Sequence, residues 1–249
     1  MHPALQVTNL RKEFGPTLAV DDVNLTLREG GALAIVGESG SGKTTTARMI
    51  AGLETPTSGT IHTAGGPRAV QLVFQDPYAS LDRRQRVRDA LAEVIALHTG
   101  LRGAARDHRV AEHLDQVGLD ERQAASLPRA LSGGQRQRVA IARALAVRPR
   151  ILILDEAVAA LDVSVQAQIL TLLRVIRERT GVAYLFITHD LGVVRHVCDD
   201  VAVMHHGRIV EQGPAHEVLT DPQNPYTRTL LDSVPRPGWK PKRRPAPTP

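Results

Sequence analysis

The sequence is poor in several features that would otherwise suggest a function. It holds one cysteine, Cys198, which excludes an internal disulfide and leaves no cysteine cluster for zinc or iron–sulfur. Aromatic residues are only 3% of the chain, so a core has to be packed from Leu, Val, Ile and Ala. No apolar run approaches the roughly 20 residues that a membrane-crossing helix needs. The start, Met1-His2-Pro3-Ala4, lacks the charged-then-apolar order of a secretion signal. These absences predict a soluble cytoplasmic chain. A charge excess is also missing from the part expected to fold. The 31 basic residues outnumber the 26 acidic ones, but Arg236, Lys240, Lys242, Arg243 and Arg244 account for the difference. The remainder is neutral and gives no sign of a basic surface for nucleic acid. Pro237, Pro241, Pro245, Pro247 and Pro249 share that last stretch. Residues 236–249 are therefore expected to form a basic, proline-rich, flexible tail, solvated rather than laid on anionic lipid.

What remains is a chain of 249 residues, 42% of them hydrophobic, which is enough for one or two domains at roughly 150 residues each. Ala4 to Leu10 and Leu18 to Leu27 alternate as strands do, with Gly15-Pro16 turning the chain between them. Ala32 to Val36 is a continuous apolar run, followed by a glycine-rich loop and a helical stretch from Lys43 to Ile50. Gly59 to Thr63 and Ala69 to Phe74 read as further strands. From Val87 to about Val147 the spacing becomes helical, with Leu91, Val94, Ile95 and Leu97 on one face and Val110, Leu114 and Val117 on the next. Strand and helix then alternate: Ile151 to Leu154, a helix over Val163 to Arg179, Val182 to Thr188, another helix, and Val201 to His205. Alternation with wholly apolar strands predicts an α/β core whose parallel sheet is covered on both faces and interrupted by a helical insertion.

Gly37-Glu38-Ser39-Gly40-Ser41-Gly42-Lys43-Thr44 fits G-x-x-x-x-G-K-[ST] between a predicted strand and a predicted helix. Glycines let such a loop turn successive N–H groups inward, and the helix start adds partial positive charge. Lys43 can then reach β and γ phosphates, and the Thr44 hydroxyl can ligate Mg²⁺. The apolar run Ile151 to Leu154 ends in Asp155-Glu156. Neighbours at a strand tip face opposite ways, so Asp155 is expected to hold Mg²⁺ through water and Glu156 to polarise an attacking water. A second strand ends in His189-Asp190, and parallel strands deliver their C-terminal ends to one crevice. Leu131-Ser132-Gly133-Gly134-Gln135 precedes a helix read as starting near Arg136, with Val139, Ala142 and Leu145 on one face. Ser132 is expected to cap it, and Gly133-Gly134 to let a ligand approach the backbone. That makes a second anion-binding helix start on a chain whose first loop already cradles a nucleotide.

In order and spacing these motifs resemble the ATP-binding-cassette (ABC) ATPases, from about Leu5 to Val234. The resemblance implies a P-loop NTPase core with a mostly parallel sheet, a small antiparallel β subdomain and an inserted α-helical subdomain. The implied ABC domain spans 1–235, with a catalytic core of about 1–86 and 148–235 and a helical subdomain of about 87–147. It implies ATP and Mg²⁺ as cofactors, and a head-to-tail dimer in which each nucleotide lies between the loop of one subunit and the Ser132–Gln135 signature of the other. Carried over by position, Phe14 resembles the aromatic that stacks on adenine, and Gly37 to Thr45 resembles the phosphate-binding segment. Gln75 resembles the glutamine that approaches Mg²⁺ and senses membrane subunits. Glu156 resembles the catalytic base, Asp162 the D-loop aspartate and His189 the switch histidine. Thr44, Gln75 and Asp155 are the implied metal ligands.

Three longer runs narrow the resemblance: Val73 to Leu81, Leu161 to Gln168 and Asn224 to Leu231. They are similar to the ATP-binding subunits of oligopeptide, dipeptide and nickel importers. That implies integral membrane permeases and a second ATPase subunit as partners, a solute-binding protein that selects the cargo, and a peripheral place on the cytoplasmic face of the membrane. An ABC ATPase accessory to a soluble enzyme complex such as carbon–phosphorus lyase is the alternative. DNA-repair cassettes carry long coiled coils or zinc modules that the segment between Thr44 and Ser132 lacks. Ala157-Val158-Ala159 stands where the family has Pro-Thr-Ser, and Gly59 to Val70 is a short connection for these importers. The first departure removes a backbone restraint and a hydroxyl but no phosphate or metal ligand, so hydrolysis is expected to persist with altered dimer coupling.

Overall fold

A computed structural model of the chain describes residues 3–66, 69–78 and 80–233. The tail expected over 236–249 lies outside the described residues. Strand β1 (Pro3–Phe14) turns at Gly15-Pro16 into β2 (Thr17–Arg28), and Gly15 takes the left-handed φ of 56° that this two-residue turn needs. With β4 (Ser58–Thr63) on the other side of β1, these strands form an antiparallel sheet in the order β2-β1-β4. Bulges at Leu10–Lys12 twist the hairpin.

The main sheet is six-stranded, in the order β5-β6-β7-β3-β8-β9. Strands β3 (Ala32–Val36), β5 (Val70–Val73), β6 (Ile151–Asp155), β7 (Ala183–Thr188) and β8 (Asp200–His205) run parallel, and β9 (Arg208–Pro214) pairs antiparallel to β8. Both faces are buried, and alternate residues feed two cores. Leu152, Leu154, Tyr184 and Phe186 pack among the helices, while Ile151, Ile153, Leu185 and Ile187 pack towards the small sheet. The few aromatics still matter, since Tyr184 and Phe186 meet edge to face at 5.8 Å within the helical core.

Helix α1 (Lys43–Ile50) follows β3. Helices α2 (Val87–Thr99), α3 (Gly103–Gln116), α4 (Glu121–Ala124) and α5 (Gly133–Leu145) fill the stretch expected to be helical. After β6 come α6 (Val163–Thr180), α7 (Leu191–Val197), α8 (Ala215–Thr220) and α9 (Pro225–Asp232). No helix among the described residues is long and apolar enough to cross a membrane.

The structure corrects three details. Leu97 is 78% exposed instead of lying on the buried stripe with Leu91 and Ile95, which are wholly buried. Helix α5 starts at Gly133, three residues before Arg136, because Ser132 and Gln135 close a capping box. The antiparallel edge strand β9 was not anticipated, since its half-exposed pattern has little hydrophobic alternation.

Candidate active site

The segment joining β3 to α1 wraps because its glycines have neighbours where side chains would be. A Cβ on Gly42 would lie 2.5 Å from the Ala19 carbonyl oxygen and 2.7 Å from Met204 Cε, and one on Gly37 would run into the Met204 carbonyl. The tip residues Glu38, Ser39 and Gly40 are exposed. The turn after β8 braces the loop, with the Gly207 N–H donating to the Ser41 carbonyl at 2.9 Å. Inside the loop the Lys43 ammonium donates to the carbonyls of Gly37 (2.9 Å) and Glu38 (2.7 Å). Burial pulls the Lys43 pKa below the ordinary lysine value, while the charges of Glu156, Asp155 and Glu38 oppose the shift. The ammonium is therefore short of water and satisfied by loop oxygens that an incoming phosphate can replace. Thr45 is half-buried in the first turn of α1.

The end of β6 delivers the carboxylates. Asp155 is buried and accepts from the Thr44 hydroxyl at 3.3 Å. Burial raises the pKa of Asp155, and the Thr44 bond and Lys43 charge hold it down only in part. A buried carboxylate short of counter-charge beside a hydroxyl is a donor set that fits a hard divalent cation. Glu156 leaves the strand with φ 48°, a left-handed backbone that costs a residue with a Cβ about 1–3 kcal/mol. Its N–H is held by the Ile187 carbonyl at 2.9 Å, so β7 fixes the turn. His189, just past the end of β7, brings Nδ1 to 3.3 Å from Glu156 Oε1. Gln75 is exposed two residues beyond β5, the strand paired in parallel with β6. The C-terminal ends of β3, β5, β6 and β7 thus deliver Lys43, Thr44, Gln75, Asp155, Glu156 and His189 to one end of the sheet.

Ser132 to Gln135 open helix α5, and their capping bonds are local: Ser132 N–H donates to Gln135 Oε1 at 2.9 Å and Gln135 N–H to Ser132 Oγ at 3.3 Å. Ser132 and Gly133 are exposed at the start of α5. Gly134 is buried, and the space beside it belongs to Val165 of α6. Its missing side chain also makes room for α6 within the chain. Asp162 caps α6, accepting from the Val165 N–H (2.9 Å) and the Ser164 hydroxyl (2.7 Å); the Ser164 bond leads in lowering its pKa. Phe14 stands at the β1–β2 hairpin tip, 47% exposed, with the Lys12 ammonium 4.7 Å from its ring centre.

The sequence matches the ABC transporter family over residues 20–159 and the C-terminal region of oligopeptide/dipeptide transporters over residues 210–248. The chain belongs to the ABC transporter family. As a cassette of that family it binds and hydrolyses ATP. A protein of Brucella abortus (strain 2308), provisionally named a peptide import ATP-binding protein, is 51% identical over 232 residues, covering 88% of this chain and 70% of the relative. The fold resembles cbiO1 of Clostridium perfringens, part of the ABC transporter complex cbiONQ, with a TM-score of 0.81 at 31% identity over 89% of this chain and 92% of that one. A dimeric cassette in a post-hydrolysis state with ADP and Pi matches at a TM-score of 0.75 and 30% identity, covering 85% of this chain and 98% of the other.

The ABC motifs do not include every residue that shapes the site. Met204, Gly207 and Tyr226 all touch the phosphate loop, and the sequence reading gave none of them a part there. Their contacts join distant parts of the chain, and no local pattern announces them. Of the departures from the family run, Ala157 and Val158 are buried, whereas Ala159 is exposed.

Proposed function

We propose that this chain is the ATP-hydrolysing subunit of an importer for peptides or a related small solute, working on the cytoplasmic face of the membrane as one half of a head-to-tail pair beneath permease subunits. The observation that carries the pairing is that Ser132 and Gly133 stand exposed at the start of α5, a helix start separate from the loop that opens α1. A helix start with free N–H groups favours an anion, and a second subunit would supply one. Peptides as cargo rest on the match to the oligopeptide/dipeptide C-terminal region and on the name of the Brucella relative.

In this reading the free amides of the loop Gly37 to Thr45 and the Lys43 ammonium bind the triphosphate, and Phe14 stacks on the base. Thr44, Gln75 and Asp155 would hold Mg²⁺, which when bound draws negative charge from the phosphates. Glu156 takes the proton of the attacking water, and His189, 3.3 Å away, keeps that carboxylate aimed. Ser132 to Gln135 and Asp162 of the partner close the other side. Positioning and fixed charge supply the acceleration.

Glu156→Gln tests this. The side chain keeps its size and loses its basicity, so hydrolysis should fall about 100-fold or more while ATP still binds. Light scattering should then show an ATP-dependent dimer, with itself or with a second importer ATPase. A variant that hydrolyses ATP like the parent would remove the base. One that binds ATP yet stays monomeric with every partner would remove the sandwich. Affinity capture should recover integral membrane proteins, and recovery of soluble enzyme subunits alone would refute the importer.

A further inference from the structure

The phosphate loop has one contact that the ABC motifs leave unexplained. The Glu38 N–H donates to the Tyr226 hydroxyl at 3.1 Å. Tyr226 comes from α9, 188 residues further along the chain and inside the segment matched to the oligopeptide/dipeptide C-terminal region. It is well held. Its ring stacks on His205 at the end of β8, with centroids 3.8 Å apart and planes 19° from parallel. Asn224 caps α9 by accepting from the Tyr226 N–H at 2.9 Å, and its side-chain amide donates to the Val210 carbonyl at 3.2 Å. The Glu211 carboxylate takes the Gln223 N–H (2.7 Å) and the Asn224 N–H (3.2 Å). The helix start is therefore tied to β9, and the phenol is aimed by those ties.

The target of that aim is informative. Glu38 presents its N–H to Tyr226 and its carbonyl to the Lys43 ammonium. A hydroxyl fixed from outside thus sets the loop backbone at Glu38, where the Lys43 ammonium rests until a phosphate takes the place of the carbonyl. We propose that Tyr226 is a positioning residue for nucleotide binding, through which the C-terminal segment holds the phosphate loop in its receptive shape. A loop already shaped for phosphate loses less freedom on binding, so the effect falls on affinity and leaves the chemical step alone. The inference rests on the ATPase activity of the family and is independent of any transported solute.

The test compares Tyr226→Phe and Tyr226→Ala with the parent chain. Phenylalanine keeps the ring stacked on His205 and removes only the hydroxyl. It should raise the Kd for ADP and the KM for ATP about three- to tenfold, as expected for one lost hydrogen bond. Its kcat should stay within about twofold, and its melting temperature without nucleotide should fall by no more than the few degrees that one hydrogen bond is worth. Alanine removes ring and hydroxyl together, so it should lose affinity at least as much and also melt earlier. A purely structural tyrosine would also give an earlier-melting alanine variant, but a phenylalanine variant that binds nucleotide like the parent. That result overturns the proposal. So does a loss in kcat at unchanged KM. Both Kd and melting are read on the purified chain with ADP, so failure here is separate from failure of the importer reading.

Discussion

Gly134 is the most telling place to perturb this molecule, because it lies within a motif associated with ligand binding while its open side faces the chain's own core. A Cβ added there would lie closer than 3.0 Å to Val165 Cγ1, a separation that real Cβ atoms essentially never show. Gly134 sits in the first turn of α5 and Val165 in the first turn of α6, so relief requires one of two movements. Either Val165 leaves the rotamer that β-branched residues strongly prefer in helices, or α5 moves away from α6. Overpacking of this kind costs about 1–3 kcal/mol. For a chain of this size each kcal/mol lowers the melting temperature by about 2–4 °C, so Gly134→Ala should melt about 2–12 °C earlier.

The clash also predicts its own cure. Val165→Ala removes the offending methyl and should restore most of the loss when combined with Gly134→Ala, giving a coupling energy of about 1 kcal/mol or more. Calorimetry or urea unfolding of the four chains measures this. Additive losses would refute the packing account, as would a single variant with an unchanged midpoint. The double variant also isolates function, since a rescued fold with impaired ATP turnover would assign any remaining need for glycine to the nucleotide of a partner.

Three further outcomes follow from the same structure. Lys43→Ala removes the charged donor proposed to meet the phosphates, so equilibrium binding of ATP should weaken about 10- to 100-fold, and affinity within about twofold of the parent would contradict that role. His113 is buried with Nδ1 unpartnered, and burial first, then the charge of Arg109, lowers its pKa beneath the ordinary 6.5. The unfolded chain therefore takes up a proton that the folded chain refuses, and stability is lost as pH falls from 6.5 towards the lowered value. His113→Leu should flatten that part of a melting-temperature profile, and an unchanged slope would show that His113 is not the group responsible. Phe14→Ala should raise the KM for ATP and not that for a nucleotide analogue without its base, and equal changes for both would remove the stacking role.

Legibility in the sequence followed the range of the physics involved. Ala32 to Val36, Ile151 to Leu154 and Val182 to Thr188 could be read as buried parallel strands because each is an almost wholly apolar run that starts just after a glycine or proline. Lys43, Thr44, Asp155 and Glu156 could be read because a loop and a strand tip place them by local geometry alone. Strand β9 could not. It lies at an edge, mixes Arg208, Glu211 and Gln212 with Ile209 and Val210, and is set by pairing with β8. Two misses were avoidable. Ser132 with Gln135 three residues later is a capping-box pattern that fixes the start of α5, and Asn224-Pro225 is an N-cap followed by the residue best suited to a first helical position.

The contacts that no window of sequence could reveal are the ones that shape the phosphate loop from outside. Met204 fills the space that Gly37 and Gly42 leave open, Gly207 binds Ser41, and Tyr226 binds Glu38. All three belong to the chain after β7, whereas the loop and lysine proposed to bind phosphate in this subunit lie before α2. A nucleotide loop is therefore specified twice, once by the glycines that permit its shape and once by distant groups that select that shape from those permitted. Permission is written locally and can be read as a motif. Selection depends on β8, β9 and α9 arriving beside β3, so a substitution at Tyr226 can alter ATP affinity while leaving every recognised motif intact.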